Sequence, residues 1–125
     1  MVKSLLIAGL GGFIGTVLRF LISRYFQFNS ISTFPWGTFS VNIIGCFIIG
    51  IIFGISDKTG LISPELRIFL IVGICGGFTT FSSFSNDTFL LIEDKEWLQM
   101  ILYTSLSFFL GLAAVYAGRL LTKTL

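Results

Sequence analysis

Apolar residues fill this chain in four long blocks divided by short polar breaks, a pattern unlike the alternation of half-buried strands or the one-sided stripes of soluble helices. The blocks cover residues 4–22, 36–55, 65–92 and 97–121. At about 1.5 Å per residue, roughly 20 apolar residues cross a hydrocarbon core about 30 Å thick, so each block predicts one transmembrane helix. The first could be mistaken for a secretory signal, but its apolar run continues through Phe13, Ile14, Val17 and Leu18 to Arg19, so it is expected to stay in the mature protein. Ser23 to Pro35 reads as a polar, aromatic connection at the interface, with Trp36 at a bilayer boundary. Ser56 to Gly60 has turn chemistry, and Ser63 and Pro64 are the expected N-cap and first residue of the third helix. Glu93 to Glu96 forms the last hydrophilic turn. The expected architecture is all-α, a single integral membrane domain over residues 1–125, multi-pass in the cell membrane.

Composition narrows the function. Hydrophobic residues make up 54% of the 125 and charged ones 11%, against about 25% charged in a soluble domain. With no histidine, six acids and two isolated cysteines, metal clusters, triads and CxxC chemistry lack their groups, which argues against an enzyme. Cys46 and Cys75 read as small buried hydrophobes. Eight scattered basic residues leave no nucleic-acid footprint. Lys3, Lys58, Arg67, Arg119 and Lys123 fall on one side of the membrane, against Arg19, Arg24 and Lys95 on the other. So weak a bias permits insertion in both orientations and head-to-tail pairing.

Small and polar residues inside the spans carry the candidate chemistry. Gly11 and Gly15, Gly50 and Gly54, Gly73 and Gly77, and Ala114 and Gly118 make small-xxx-small steps that allow close helix contact in lipid. Gly76-Gly77-Phe78-Thr79-Thr80 in mid-span is expected to break the third helix, since two glycines precede two threonines. Unwound carbonyls there suit an alkali cation and half-helix N-termini suit an anion, while an intact helix with serine and threonine bonded back to it is the alternative. Phe81 and Phe84, flanked by Ser82, Ser83 and Ser85, combine hydroxyl donors with electropositive ring edges. Asn42 adds an amide in the second span, either as a donor to an anion or as an interhelical bond. Arg19 lies within the first span and could snorkel, line a vestibule or pair with Asp87.

Taken together, these residues resemble the Fluc (CrcB-type) fluoride channel family. The resemblance rests on Gly11-Gly12-x-x-Gly15-x-x-x-Arg19, on Gly37-Thr38-x-x-Val41-Asn42 and on the long run Gly76-Gly77-Phe78-Thr79-Thr80-Phe81-Ser82-Ser83-Phe84-Ser85. It implies an antiparallel homodimer of four-helix subunits, two pores that pass fluoride passively out of the cytoplasm, and a structural sodium ion that is not transported. By position it implies that Gly76 and Thr79 offer sodium their carbonyls, that Phe81 and Phe84 line the pore, that Asn42 donates to fluoride, and that Ser82 and Ser83 supply hydroxyls. Tyr103, Ser107 and Tyr116 are candidates for a polar track on the fourth helix.

The residues themselves agree with such a pore, because a small, strongly hydrated anion needs donors in place of its water and no deep cation to trap it. The competing reading is a dual-topology, proton-coupled multidrug exporter, which uses a carboxylate in its first helix, and residues 4–22 contain none.

Overall fold

The computed structural model describes residues 1–124; Leu125, the last residue of the expected domain, lies outside them. Four helical spans are long and apolar enough to cross a membrane, and no strand occurs among the described residues. They comprise α1 (Val2–Asn29), α2 (Trp36–Thr59), a third span built of α3 (Pro64–Arg67), a π-helical stretch (Ile68–Cys75), α4 (Gly76–Phe78) and α5 (Phe81–Glu93), and then α6 (Trp97–Lys123).

Two helices outrun the apolar blocks that foretold them. α1 continues through the expected connection to Asn29, 28 residues in all, because no glycine or proline lies between Gly15 and Pro35 to stop it. The Asn29 amide donates to the Tyr25 carbonyl at 2.8 Å, and Ser30 turns the chain to extended geometry. α2 runs one turn further than expected and ends at Gly60, whose φ of 65° is the left-handed conformation that glycine adopts without penalty. The third span starts as expected, with the Ser63 hydroxyl accepting the Leu66 N–H at 3.1 Å and Pro64 in the first turn.

α2 packs along α6, and α1 along the π-helical stretch and α4. Both contacts depend on missing side chains. A Cβ on Gly11 would stand 2.5 Å from the Phe69 carbonyl oxygen and 2.9 Å from the Gly73 Cα, so the two backbones touch where α1 crosses the third span. Gly118 meets the Phe47 carbonyl and would place a Cβ 2.8 Å from the Ile51 nitrogen, which closes α6 onto α2. The small-xxx-small steps are thus packing surfaces. Gly11→Val is expected to cost roughly 1–3 kcal/mol or more, since backbone cannot step aside as a side chain can; a melting curve in detergent should show a lowered midpoint.

The interior is small. Val41 and Tyr103 are fully buried, and Phe34 and Leu91 join Tyr103 in a cluster with Phe39, Phe84 and Met100 against it. Most other large apolar side chains face outward, as lipid permits.

The third span is interrupted, but later than its glycines suggest. Gly76 keeps helical geometry, and the departure falls on Thr79 and Thr80, both extended. Gly77 instead serves the packing, for a Cβ there would stand 2.6 Å from the Gly12 carbonyl oxygen. β-Branched threonines tolerate extended backbone well. Their hydroxyls also satisfy the two half-helix ends: Thr79 Oγ1 donates to the Cys75 carbonyl at 2.9 Å, and Thr80 Oγ1 accepts the Ser83 N–H at 3.1 Å as the N-cap of α5.

Candidate functional site

The break is held open by Asn42. From α2 its carboxamide oxygen accepts the Thr80 N–H at 2.8 Å and its nitrogen donates to the Thr80 carbonyl at 3.1 Å. A backbone N–H can only donate and a carbonyl only accept, so the orientation of this amide is determined by its partners. The interhelical bond and the anion donor, alternatives in the sequence, are therefore compatible, because one amide N–H serves Thr80 and the second is left for another acceptor.

Asn42, Cys46 and Ile49 stand at i, i+4 and i+7 on one face of α2 and form a wall of a concavity of about 370 Å³, lined also by Thr79, Thr80, Phe81, Phe84, Ser107 and Phe108. None of these residues is charged. The Phe81 and Phe84 ring centroids are 5.9 Å apart and tilted by 40°. Phe84 is half-buried with its ring 5.0 Å from that of Tyr103, whereas Phe81 is 79% exposed. Ser107 Oγ is buried without a hydrogen-bond partner, the one such side-chain atom among the described residues. An orphaned hydroxyl is costly unless something visits it.

Other expected site residues fall elsewhere. Ser82 is exposed, with its hydroxyl 3.2 Å from that of Thr80, and Ser83 is half-buried at the N-terminus of α5; neither lines the concavity. Tyr103 has no exposed surface, and its hydroxyl donates to Asp87 at 3.1 Å. Its ring backs Phe84 while its hydroxyl is already engaged. Tyr116 lines a different concavity, near the far end of α6. Arg19 does not pair with Asp87 and does not snorkel: its Nε donates to the Gly77 carbonyl at 2.8 Å. That carbonyl belongs to the C-terminal end of a half-helix, where a cation is favoured.

Two carbonyls at the break lose their usual helical donors. In a continuous helix Gly76 would receive the Thr80 N–H, which goes to Asn42, and Thr79 would receive the Ser83 N–H, which goes to Thr80 Oγ1. Thr80 itself is clamp and cap at once; its only mark in the sequence is a threonine, a preferred N-cap, just before the resumed helix.

Comparison with known proteins gives the family. The profile of the family described as CrcB-like protein, Camphor Resistance (CrcB), matches residues 6–119. The chain belongs to the CrcB-like family. Among CrcB-like relatives, a protein of Flavobacterium psychrophilum named fluoride-specific ion channel FluC is 46% identical, over 98% of this chain and 99% of the relative. Proteins of the same name from Azobacteroides pseudotrichonymphae and Chlorobaculum tepidum are each 43% identical, over 98% of this chain and 98% and 97% of their own lengths. CrcB-like membership and four spanning helices make this a multi-pass membrane protein and not an enzyme.

Proposed function

We propose that this chain is the subunit of a fluoride-selective channel that lets fluoride leave the cytoplasm passively and so limits its toxicity. The observation that carries the proposal is the uncharged donor set of one groove: the unpartnered Ser107 hydroxyl, the spare Asn42 N–H and the Phe81 and Phe84 rings. Such donors replace the water of a small anion, and without a fixed cation they also let it go. The names of the relatives support the same ligand. A proton-coupled exporter finds no support, since α1 has no carboxylate.

The channel is a dimer of two antiparallel copies. Phe81 is open to the outside of the single chain, and a second copy is the covering that turns a groove into a pore. Dual insertion is compatible with the five-to-three split of basic residues. The carbonyls of Gly76 and Thr79 fit a structural sodium ion: they are neutral, hard oxygens at membrane depth whose helical donors are committed elsewhere. Two from each copy would supply four ligands.

Efflux from proteoliposomes tests the activity. Fluoride release should stall without a potassium ionophore and proceed with it, because uncompensated anion movement builds an opposing potential, and chloride should not follow. Release that ignores the ionophore and tracks pH would replace the channel with a proton-coupled carrier. Tags at one terminus should be accessible from both membrane faces, and thorough removal of sodium should lower flux.

A further inference from the structure

The opposite end of the molecule has chemistry that the groove does not use. Lys58, Arg67, Arg119 and Lys123 converge there, and among the described residues only Arg119 has an ion-pair partner, Asp57 at 2.9 Å. Lys58 donates to the Thr122 and Lys123 carbonyls, both at 3.2 Å, and Arg67 to the Ser56 hydroxyl at 3.2 Å, so these partners leave the positive charge uncompensated. Glu65, exposed in the same turn as Arg67, forms no ion pair with any of them. Phe53 gathers two of the cations, the Arg67 and Arg119 guanidinium carbons lying 4.9 and 5.3 Å from its ring centroid.

Satisfying helix ends accounts for Lys58, which serves the last carbonyls of α6. It does not account for Arg67, which stands in the first turn of the third span, where the helix field disfavours a cation. Beside the cluster is a concavity of about 540 Å³, bounded by Asp57, Lys58, Arg119 and Lys123 and, on its apolar side, by Gly54, Tyr116 and Leu120. Tyr116 and Leu120 are exposed and continue the apolar surface of α6.

We propose that this concavity binds an acidic glycerophospholipid, with the phosphate at the Lys58, Arg119 and Lys123 end, Arg67 adding its charge from across the Phe53 ring, and an acyl chain along Tyr116 and Leu120. A soluble anion would use the charges but gain nothing from the apolar wall, and a zwitterionic lipid would gain less from the charges. Each cation near an acidic lipid surface strengthens association several-fold, and the effect is screened by salt.

Native mass spectrometry of the detergent-solubilised protein, titrated separately with phosphatidylglycerol and phosphatidylcholine, tests this. Phosphatidylglycerol should be retained at roughly tenfold lower concentration than phosphatidylcholine. Lys123→Gln, which removes one cation from the lining, should shrink that preference several-fold, to about twofold. Asp57→Asn should widen it, and this change at an exposed pair leaves the fold intact should the lysine variant fail to assemble. Equal retention of the two lipids by the unaltered protein would overturn the proposal, as would a preference that Asp57→Asn leaves unchanged. Displacement of phosphatidylglycerol by millimolar inorganic phosphate would also overturn it, in favour of a site for soluble anions.

Discussion

Asn42→Asp is expected to reduce fluoride flux by about three orders of magnitude. A carboxylate in place of the amide keeps the acceptor for the Thr80 N–H but loses the donor to the Thr80 carbonyl and the second N–H of a residue that lines the groove. It also sets a negative charge beside the path of an anion; at about 4 Å and an effective dielectric constant near 20, that repulsion is about 4 kcal/mol, or roughly 10³ in rate. Asn42→Ser keeps a donor and adds no charge, so its flux should lie between that of the aspartate variant and the unaltered protein. Fluoride-electrode traces of both variants, each confirmed as monodisperse in detergent, decide the matter. A serine variant slower than the aspartate variant would remove Asn42 from the pore and leave it only its clamp on Thr80.

Replacing Phe81 or Phe84 by isoleucine should lower flux roughly tenfold each while the protein still folds, because side-chain volume is nearly kept and only the electropositive ring edge is lost. The two positions differ in what else they touch. Phe81 is largely exposed in the single chain and is covered only by the second copy, so Phe81→Ile should leave the fold of each subunit intact, with any loss of stability confined to the dimer. Phe84 packs on the buried Tyr103 ring, and Phe84→Ile should lower both flux and stability. Flux near normal in both variants would return the rings to a packing role and undermine the donor set on which fluoride selectivity rests.

The four spans were legible because lipid leaves a strong mark on sequence: every backbone group must be bonded within a helix and every outward side chain must be apolar. The small-xxx-small steps were legible for a related reason, since close helix contact in lipid needs residues without bulk, and Gly11, Gly73 and Gly118 all stand at such contacts. Helix ends were less so. α1 passes its apolar block because a helix stops where residues forbid it, and Arg24, Gln27 and Asn29 forbid nothing. The break was foreseen in the right segment for an incomplete reason: glycine weakens a helix in isolation, yet Gly76 stays helical and Gly77 packs against α1, and the departure falls on two threonines, the second of which has both its backbone N–H and its carbonyl bonded by Asn42, 38 residues away.

The number of crossings, the membrane setting, the small-residue contacts and the segment where the third span opens can all be read along the chain, because each follows from local composition against a uniform solvent. Only the packing of the spans shows that Arg19 serves the Gly77 carbonyl and not Asp87, that Tyr103 gives its hydroxyl to Asp87 while Ser107 keeps a free one, and that Ser82 and Ser83 lie off the groove. Those outcomes depend on which polar groups from distant spans meet, and with little water available in the membrane each group takes the partner that packing brings within reach.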